Sequence, residues 1–305
     1  MAEATQPRSV IARIEKAHEE SIWSIAWTRE TNTVITGSLD ETAKCWAVSD
    51  TGLTSKNVFD RHDLGVISVS AENSGNFFAT SALDCTIRIF DLVKGAPVRA
   101  IDAGPVEAWT VSFSPDGNHV ASGSQAGHVN VWDAHSGEKV QTFEPRGTNK
   151  FTTSVAYNNG SGDQIACGAM DGAVSVFDVA TSKLLHKLEG HGMPVRALCF
   201  LPENRMLLTA SDDMRINLWD VTQGQLVGTM TGHTSWVLAL SASPEGRYFA
   251  SGASDRRVKI WDLGSRQCVQ TFDGHTDQVW GVAYSPDGGR LVSCGEDGCI
   301  QMYKV

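Results

Sequence analysis

Residues 274–305 read GHTDQVWGVAYSPDGGRLVSCGEDGCIQMYKV, and this stretch decides the fold. Gly274-His275 opens it, and an apolar run follows from Val279 to Tyr284. Ser285-Pro286-Asp287-Gly288 is turn chemistry, since proline presets φ and glycine accepts dihedrals other residues avoid. A second short run, Arg290 to Cys294, leads to Glu296-Asp297-Gly298, and a third ends at Tyr303. Short alternating runs punctuated by Gly, Pro and Asp predict antiparallel strands with little room for helix.

The same grammar recurs along the chain. A histidine stands 28 positions before an aromatic residue at His18–Trp46, His62–Phe90, His191–Trp219, His233–Trp261 and His275–Tyr303. Six positions before each aromatic lies Asp40, Asp84, Asp213, Asp255 or Asp297. Trp132 and Phe177 keep the rhythm without the histidine, so seven aromatics follow one another at intervals of 42 to 45 residues. A repeat of that length is one supersecondary unit copied along the chain. Segments such as Gln267 to Phe272 supply a fourth strand per unit. Seven units of four strands predict an all-β, seven-bladed propeller.

An open ring would leave a sticky edge strand. The alternating segment Ser9 to Glu15 precedes the first repeat and is expected to complete the last blade, pairing the N-terminal strand with the C-terminal ones. Residues 9–305 then form a single propeller, preceded by a short flexible N-terminus at 1–8.

The bulk properties narrow the function classes. Of the 305 residues, 41% are hydrophobic, as expected for a chain with a sizeable core. The formal charge is −10, and no basic run interrupts it, so direct nucleic-acid binding is not expected. The seven cysteines, at 45, 85, 167, 199, 268, 294 and 299, form no CxxC and no zinc-finger spacing, which fits buried thiols in a reducing compartment. The N-terminus lacks a secretory h-region and no apolar run reaches the roughly 18 residues of a membrane span. A soluble protein of cytosol or nucleus, without membrane partner or obligate homo-oligomer, is expected.

GH followed by WD is the signature of the WD-repeat family, which this chain resembles throughout. WD is intact at Trp132-Asp133, Trp219-Asp220 and Trp261-Asp262, and FD replaces it at Phe90-Asp91 and Phe177-Asp178. The resemblance implies a within-blade network of His, Ser or Thr, Asp and Trp. It maps completely onto His18, Thr36, Asp40 and Trp46, onto His191, Thr209, Asp213 and Trp219, and onto His233, Ser251, Asp255 and Trp261. Its role is structural, because a buried imidazole, carboxylate and indole N–H must satisfy one another. Repeat three has Gly104 and Ala126 in the His and Asp positions. Repeat four lacks the histidine, has Cys167 in the hydroxyl position, and carries extra residues around Thr148 and Gly160. These two blades are expected to be held by apolar packing alone and to form the less rigid sector.

Catalytic motifs are missing. The chain has no GxSxG, GxxxxGK or HExxH, and Gly160-Ser161-Gly162 lacks the third glycine and the strand–helix setting of a phosphate loop. The recurring aspartates sit one per blade, too dispersed for a shared site. No cofactor, metal or catalytic residue is expected, although propellers as a fold can host enzymes.

Function is written in surplus tryptophans. Trp27 aligns with the core aromatics Phe113, Tyr157, Phe200 and Tyr284. Four positions earlier, Trp23, Trp109 and Trp280 share a register that holds Ile67, Thr153, Arg196 and Leu238 in the other blades. In a propeller this is the start of the inner strand, near the mouth of the central channel. Trp236 lies two residues before Leu238, closer to the loop. Either these side chains pack under loops as core, or they form an aromatic patch with one arginine, the composition of a docking hot spot.

Several stretches sharpen the resemblance: Gly37 to Thr42, Asp102 to Trp109, Lys183 to Arg196, Gly232 to Leu238 and Asp277 to Val282. They are similar to the small, domain-only WD-repeat subunits shared by the superkiller (Ski) complex and the RNA polymerase II-associated factor (Paf) complex. The resemblance includes the Gly-Pro of repeat three in place of GH, and departs from the pattern at Ala47, after Trp46. It implies a non-catalytic adaptor that docks partner segments on the propeller's top face. In the Ski complex the partners are a helicase and a helical-repeat scaffold serving exosome-linked mRNA decay. In the Paf complex they are elongation-factor subunits acting in transcription and histone modification. Nucleus and cytoplasm are both implied. An adaptor in another assembly, ciliary or trafficking, is an alternative. So is a ubiquitin-ligase substrate receptor, though such a receptor usually grips an acidic motif with several cations and only Arg196 is basic in the ring.

Overall fold

A computed structural model describes residues 8–105, 108–145 and 150–305. The described residues contain no helix and form seven four-stranded antiparallel sheets. The inner strands are Ile22–Trp27, Val66–Ala71, Thr110–Phe113, Thr152–Tyr157, Val195–Phe200, Val237–Ala242 and Val279–Tyr284. Each packs beside the next, and the last returns to the first, so the sheets are the blades of a closed seven-bladed propeller.

Closure follows the alternation at the N-terminus. Ser9–Ile14 pairs antiparallel with Ile300–Lys304, in register Ser9 with Lys304 and Ile14 with Ile300, and is the outer strand of the seventh blade. Residues 1–7 of the expected flexible N-terminus lie outside the described residues, as do Val106, Glu107 and Thr148.

The core is divided among seven apolar clusters, each filling one junction between neighbouring blades. Ile22, Trp46, Val292 and Met302 fill the closing junction of blades seven and one. Leu208, Ile216, Phe249 and Trp261 fill that of blades five and six. Blades approach too closely for a side chain at certain second-strand positions. A Cβ on Gly37 would lie 2.7 Å from Val66 Cγ1, and one on Gly252 would lie 2.7 Å from Val279 Cγ1. Glycine there is a packing requirement, not a turn signal. Gly288, by contrast, has φ 71° in the turn after the seventh inner strand, a conformation that favours glycine.

Loops alternate between two faces. The connections that carry the histidines meet the turns that carry the aspartates on one face, tied by Leu39 N–H to Ser21 O, Leu83 N–H to Gly65 O and Glu296 N–H to Gln278 O. This is the histidine face, and every inner strand except the third begins there immediately after its loop.

Candidate functional site

The His–hydroxyl–Asp–aromatic networks are directional chains of hydrogen bonds. In blade one, Trp46 Nε1 donates to Thr36 Oγ1 at 2.9 Å, Thr36 Oγ1 lies 2.8 Å from His18 Nε2, and His18 Nδ1 lies 2.8 Å from Asp40 Oδ2. The Asp40 carboxylate can only accept, so the proton of a neutral imidazole stands on Nδ1, facing it, and Nε2 accepts from the Thr36 hydroxyl, whose oxygen in turn accepts from the indole. Burial supports that form by lowering the His18 pKa. Burial alone would raise the Asp40 carboxyl, but hydrogen bonds from His18, Thr42 and the Glu19 amide override it and hold it well below the usual range.

The same chain stands in blade five (His191, Thr209, Asp213, Trp219) and blade six (His233, Ser251, Asp255, Trp261). Two further blades carry it with altered ends. His62 lies 2.6 Å from Thr80 Oγ1 and 2.9 Å from Asp84, with Phe90 where no N–H can be offered. His275 lies 2.7 Å from Ser293 Oγ and 3.0 Å from Asp297, and the Tyr303 hydroxyl replaces the indole. Blade three departs from the expectation of apolar packing alone. Ser122 occupies the hydroxyl position and accepts from Trp132 Nε1 at 2.9 Å, so half of the network survives there. In blade four Cys167 is fully buried, and burial pushes its thiol up to about 12.

The seven register residues line one cavity. Trp23, Ile67, Trp109, Thr153, Arg196, Leu238 and Trp280 surround a space of about 500 Å³ at the histidine-face end of the central channel. A local irregularity in the strands puts them there. In six blades the inner strand has a β-bulge at this residue: pairing skips from Ile22 to Ser24, Val66 to Ser68, Thr152 to Ser154, Val195 to Ala197, Val237 to Ala239 and Val279 to Gly281. A bulge removes one residue from the ladder and re-aims its side chain. In blade three Trp109 just precedes the strand, its amide donating to Gly123 O. Repeat alignment finds the register but not the bulge, because a bulge leaves no mark on residue spacing when every copy has it.

The ring is unevenly exposed and carries little net charge. Trp23, Trp109, Arg196 and Trp280 are half-buried, whereas Ile67, Thr153 and Leu238 are buried. Trp23 and Trp280 stack with centroids 4.9 Å apart, and Trp109 meets Phe151 edge-on at 5.1 Å. Trp280 Nε1 donates to Glu296 at 2.5 Å, while the buried Trp23 Nε1 has no acceptor among the described residues. Arg196 is not a free cation. Its Nε and Nη2 clasp Asp212, itself buried, at 2.8 to 3.1 Å. Asp212 lies in the turn that meets the start of Arg196's strand, sixteen residues further on, the same offset that joins Trp280 to Glu296.

Trp236 stands apart from the ring, 45% exposed, with the Arg196 guanidinium 6.0 Å from its ring centre. The histidine face also exposes other large apolar side chains: Leu64 and Leu83 in blade two, Met170 in blade four, and Met193 and Met214 in blade five. These escaped the repeat reading because each sits beside a signature histidine or aspartate, in positions where the repeat prescribes nothing. No cluster of three or more metal-binding side chains occurs among the described residues.

Comparison with known proteins agrees with this architecture. The family model "WD domain, G-beta repeat" matches residues 9–47, 224–262 and 266–304, and the model "Nucleolar protein 10-like, N-terminal domain", a β-propeller, matches 70–238. WD repeat-containing protein VIP3 of Arabidopsis thaliana is 42% identical over 211 residues, 64% of this chain and 65% of that protein. WD repeat-containing protein SL1-17 of Schistosoma mansoni is 36% identical, over 66% of this chain and 67% of that protein. Superkiller complex protein 8 of Dictyostelium discoideum is 33% identical over 37% of this chain and 38% of its own length. The matched stretches thus span about two thirds or less of these relatives. The chain belongs to the WD-repeat β-propellers, and its middle half to the Nucleolar protein 10-like propeller domains.

Proposed function

We propose that the chain is a non-catalytic adaptor that holds partner proteins together through the channel mouth of its histidine face. The observation that carries this reading is the bulge-presented ring: three half-exposed tryptophans converge on one cavity, although nothing in the repeat requires an aromatic there. Large, rigid aromatics in a partly desolvated recess are typical interface anchors. Trp236 and the exposed Leu and Met side chains extend the apolar area, and Met adapts to irregular partners. Exposed Glu19, Asp63, Asp171 and Asp277 stand on the loops of the same face, so a partner segment combining an apolar anchor with basic residues fits best.

The Dictyostelium relative is named for the superkiller complex. By that likeness and the resemblance of the whole chain, the assembly is of the Ski type, with a helicase and a helical-repeat scaffold as partners in cytoplasmic mRNA decay. A nuclear role with Paf-type elongation-factor subunits rests on the sequence resemblance. The ubiquitin-ligase reading loses its one cation, because Asp212 neutralises Arg196. Affinity purification of the chain at endogenous level, followed by mass spectrometry, tests the proposal. Helicase and helical-repeat or elongation-factor subunits should be recovered, and an eluate without either class overturns it.

A further inference from the structure

A second large cleft lies on the opposite face, between blades six and seven, and the docking role does not use it. It has a volume of about 620 Å³ and is lined by Arg8, Arg247, Lys304, Tyr248, Tyr284 and Glu245 among others. Arg8 enters the outer strand of blade seven, Lys304 ends the strand beside it, and Arg247 leads into the second strand of blade six. Three blade elements thus bring three cations together in a protein of net charge −10.

Ion pairing within the chain does not absorb these charges. Neither Arg8 nor Lys304 has a carboxylate within ion-pair distance among the described residues, and Arg247 reaches Asp262 only at 3.7 Å. Glu245, which rests against Gly288, and the main chain of Val305 also line the cleft, and Glu245 has no ion-pair partner among the described residues. Asp287 is turned toward Arg290, which also reaches Asp50 and the Ser49 carbonyl. The guanidinium carbons of Arg8 and Arg247 lie 4.6 and 4.9 Å from the Tyr248 ring centre. Stacking on an aromatic face orients a guanidinium while leaving its in-plane N–H groups free to clasp carboxylate oxygens.

We propose that this cleft is a second docking site, which takes an acidic segment of a partner protein: a run of Glu or Asp side chains in extended conformation. The cations supply the complementarity, Tyr248 and Tyr284 supply apolar walls, and the volume exceeds what one small oxyanion fills. The site is independent of the channel mouth, so an adaptor with both could hold a basic segment on one face and an acidic one on the other.

A fluorescein-labelled hexaglutamate peptide, titrated against the full chain and read by anisotropy, tests this. Saturable binding that weakens as salt rises is expected, with a loss of tenfold or more in Arg8→Glu/Lys304→Glu. Arg205→Glu, which removes a cation already paired with Asp220, should bind as the unaltered chain does. If the double variant does not fold, Tyr248→Leu serves instead, because it removes the stacking platform while keeping the charges, and it should weaken binding severalfold. No saturable binding, or equal binding by the double variant, overturns the proposal. So does displacement by inorganic phosphate at concentrations no higher than those of unlabelled hexaglutamate, which would mark a small-anion site.

Discussion

Trp23 and Trp280 belong to the first and last blades, yet their rings stack at 4.9 Å with an interplanar angle of 24°. The pair spans the junction where the propeller closes, at the channel mouth, and among the described residues only the Trp280 N–H finds an acceptor. One contact therefore contributes to closure and to the surface offered to a partner. Trp280→Ala should cost about 1–3 kcal/mol, the sum of a lost aromatic pair and lost apolar burial. Urea unfolding measures this. A variant already unfolded at 25 °C would show that the ring is core and not a docking surface.

The polar networks should dominate the stability of their blades. Thr209→Val keeps the shape but strips partners from both Trp219 Nε1 and His191 Nε2. Each buried polar atom left unpaired costs about 1–3 kcal/mol, so a loss of about 2–6 kcal/mol is expected for the two. Cys167→Val in the equivalent position of blade four, where no histidine stands, should cost less than about 1 kcal/mol. Similar losses in the two variants would remove the networks from the account.

Acidification should destabilise the fold in two stages. Burial holds the His18 and His62 imidazoles below the usual range, so the unfolded chain takes up these protons first. Their contribution is complete above about pH 6.5 and is lost as pH falls through their folded values. Asp40, Asp84, Asp255 and Asp297 are buried but held low by hydrogen bonds from the imidazoles and turn groups. Their contribution is present above about pH 4 and disappears below it. Tm should stay level from pH 8 to 7, decline below about 6.5 and drop steeply below 4. Equal Tm at pH 7 and 4.5 would contradict the assignment of neutral, buried histidines.

Blade four should open more readily than its neighbour. Its strands Thr152–Tyr157 to Leu184–Glu189 have no histidine network, whereas Val195–Phe200 to Gln225–Thr231 have a complete one. Native-state hydrogen exchange should show amides of blade four exchanging about tenfold faster or more, since about 1.4 kcal/mol of missing local stability suffices. Slower exchange in blade four than in blade five would refute the idea that the polar chains set local rigidity.

The blade count, the ring closure and the network positions were legible in the sequence because each repeats with a period, and a period survives without coordinates. In repeat three Gly104 and Ala126 stand where the histidine and aspartate would, which masks in the sequence that the Ser122 hydroxyl still serves Trp132. Some features repeat without being readable from spacing: Arg196 meets Asp212 and Trp280 meets Glu296 at the same sixteen-residue offset, and the bulges that aim the ring inward recur, yet an offset alone does not show which side chains touch or which residue leaves the ladder. The cleft around Tyr248 joins residue 8 to residue 304, a proximity that only ring closure creates.

The central claim is that the tryptophans of the channel mouth are the docking surface. It is tested most directly by tandem purification of the unaltered chain and of Trp109→Ala/Trp280→Ala, each expressed at endogenous level, with Tm measured on the purified proteins. The account predicts a variant that still unfolds cooperatively yet recovers partner subunits at less than a tenth of the original yield. A folded variant that recovers the same partners in the same yield would contradict it.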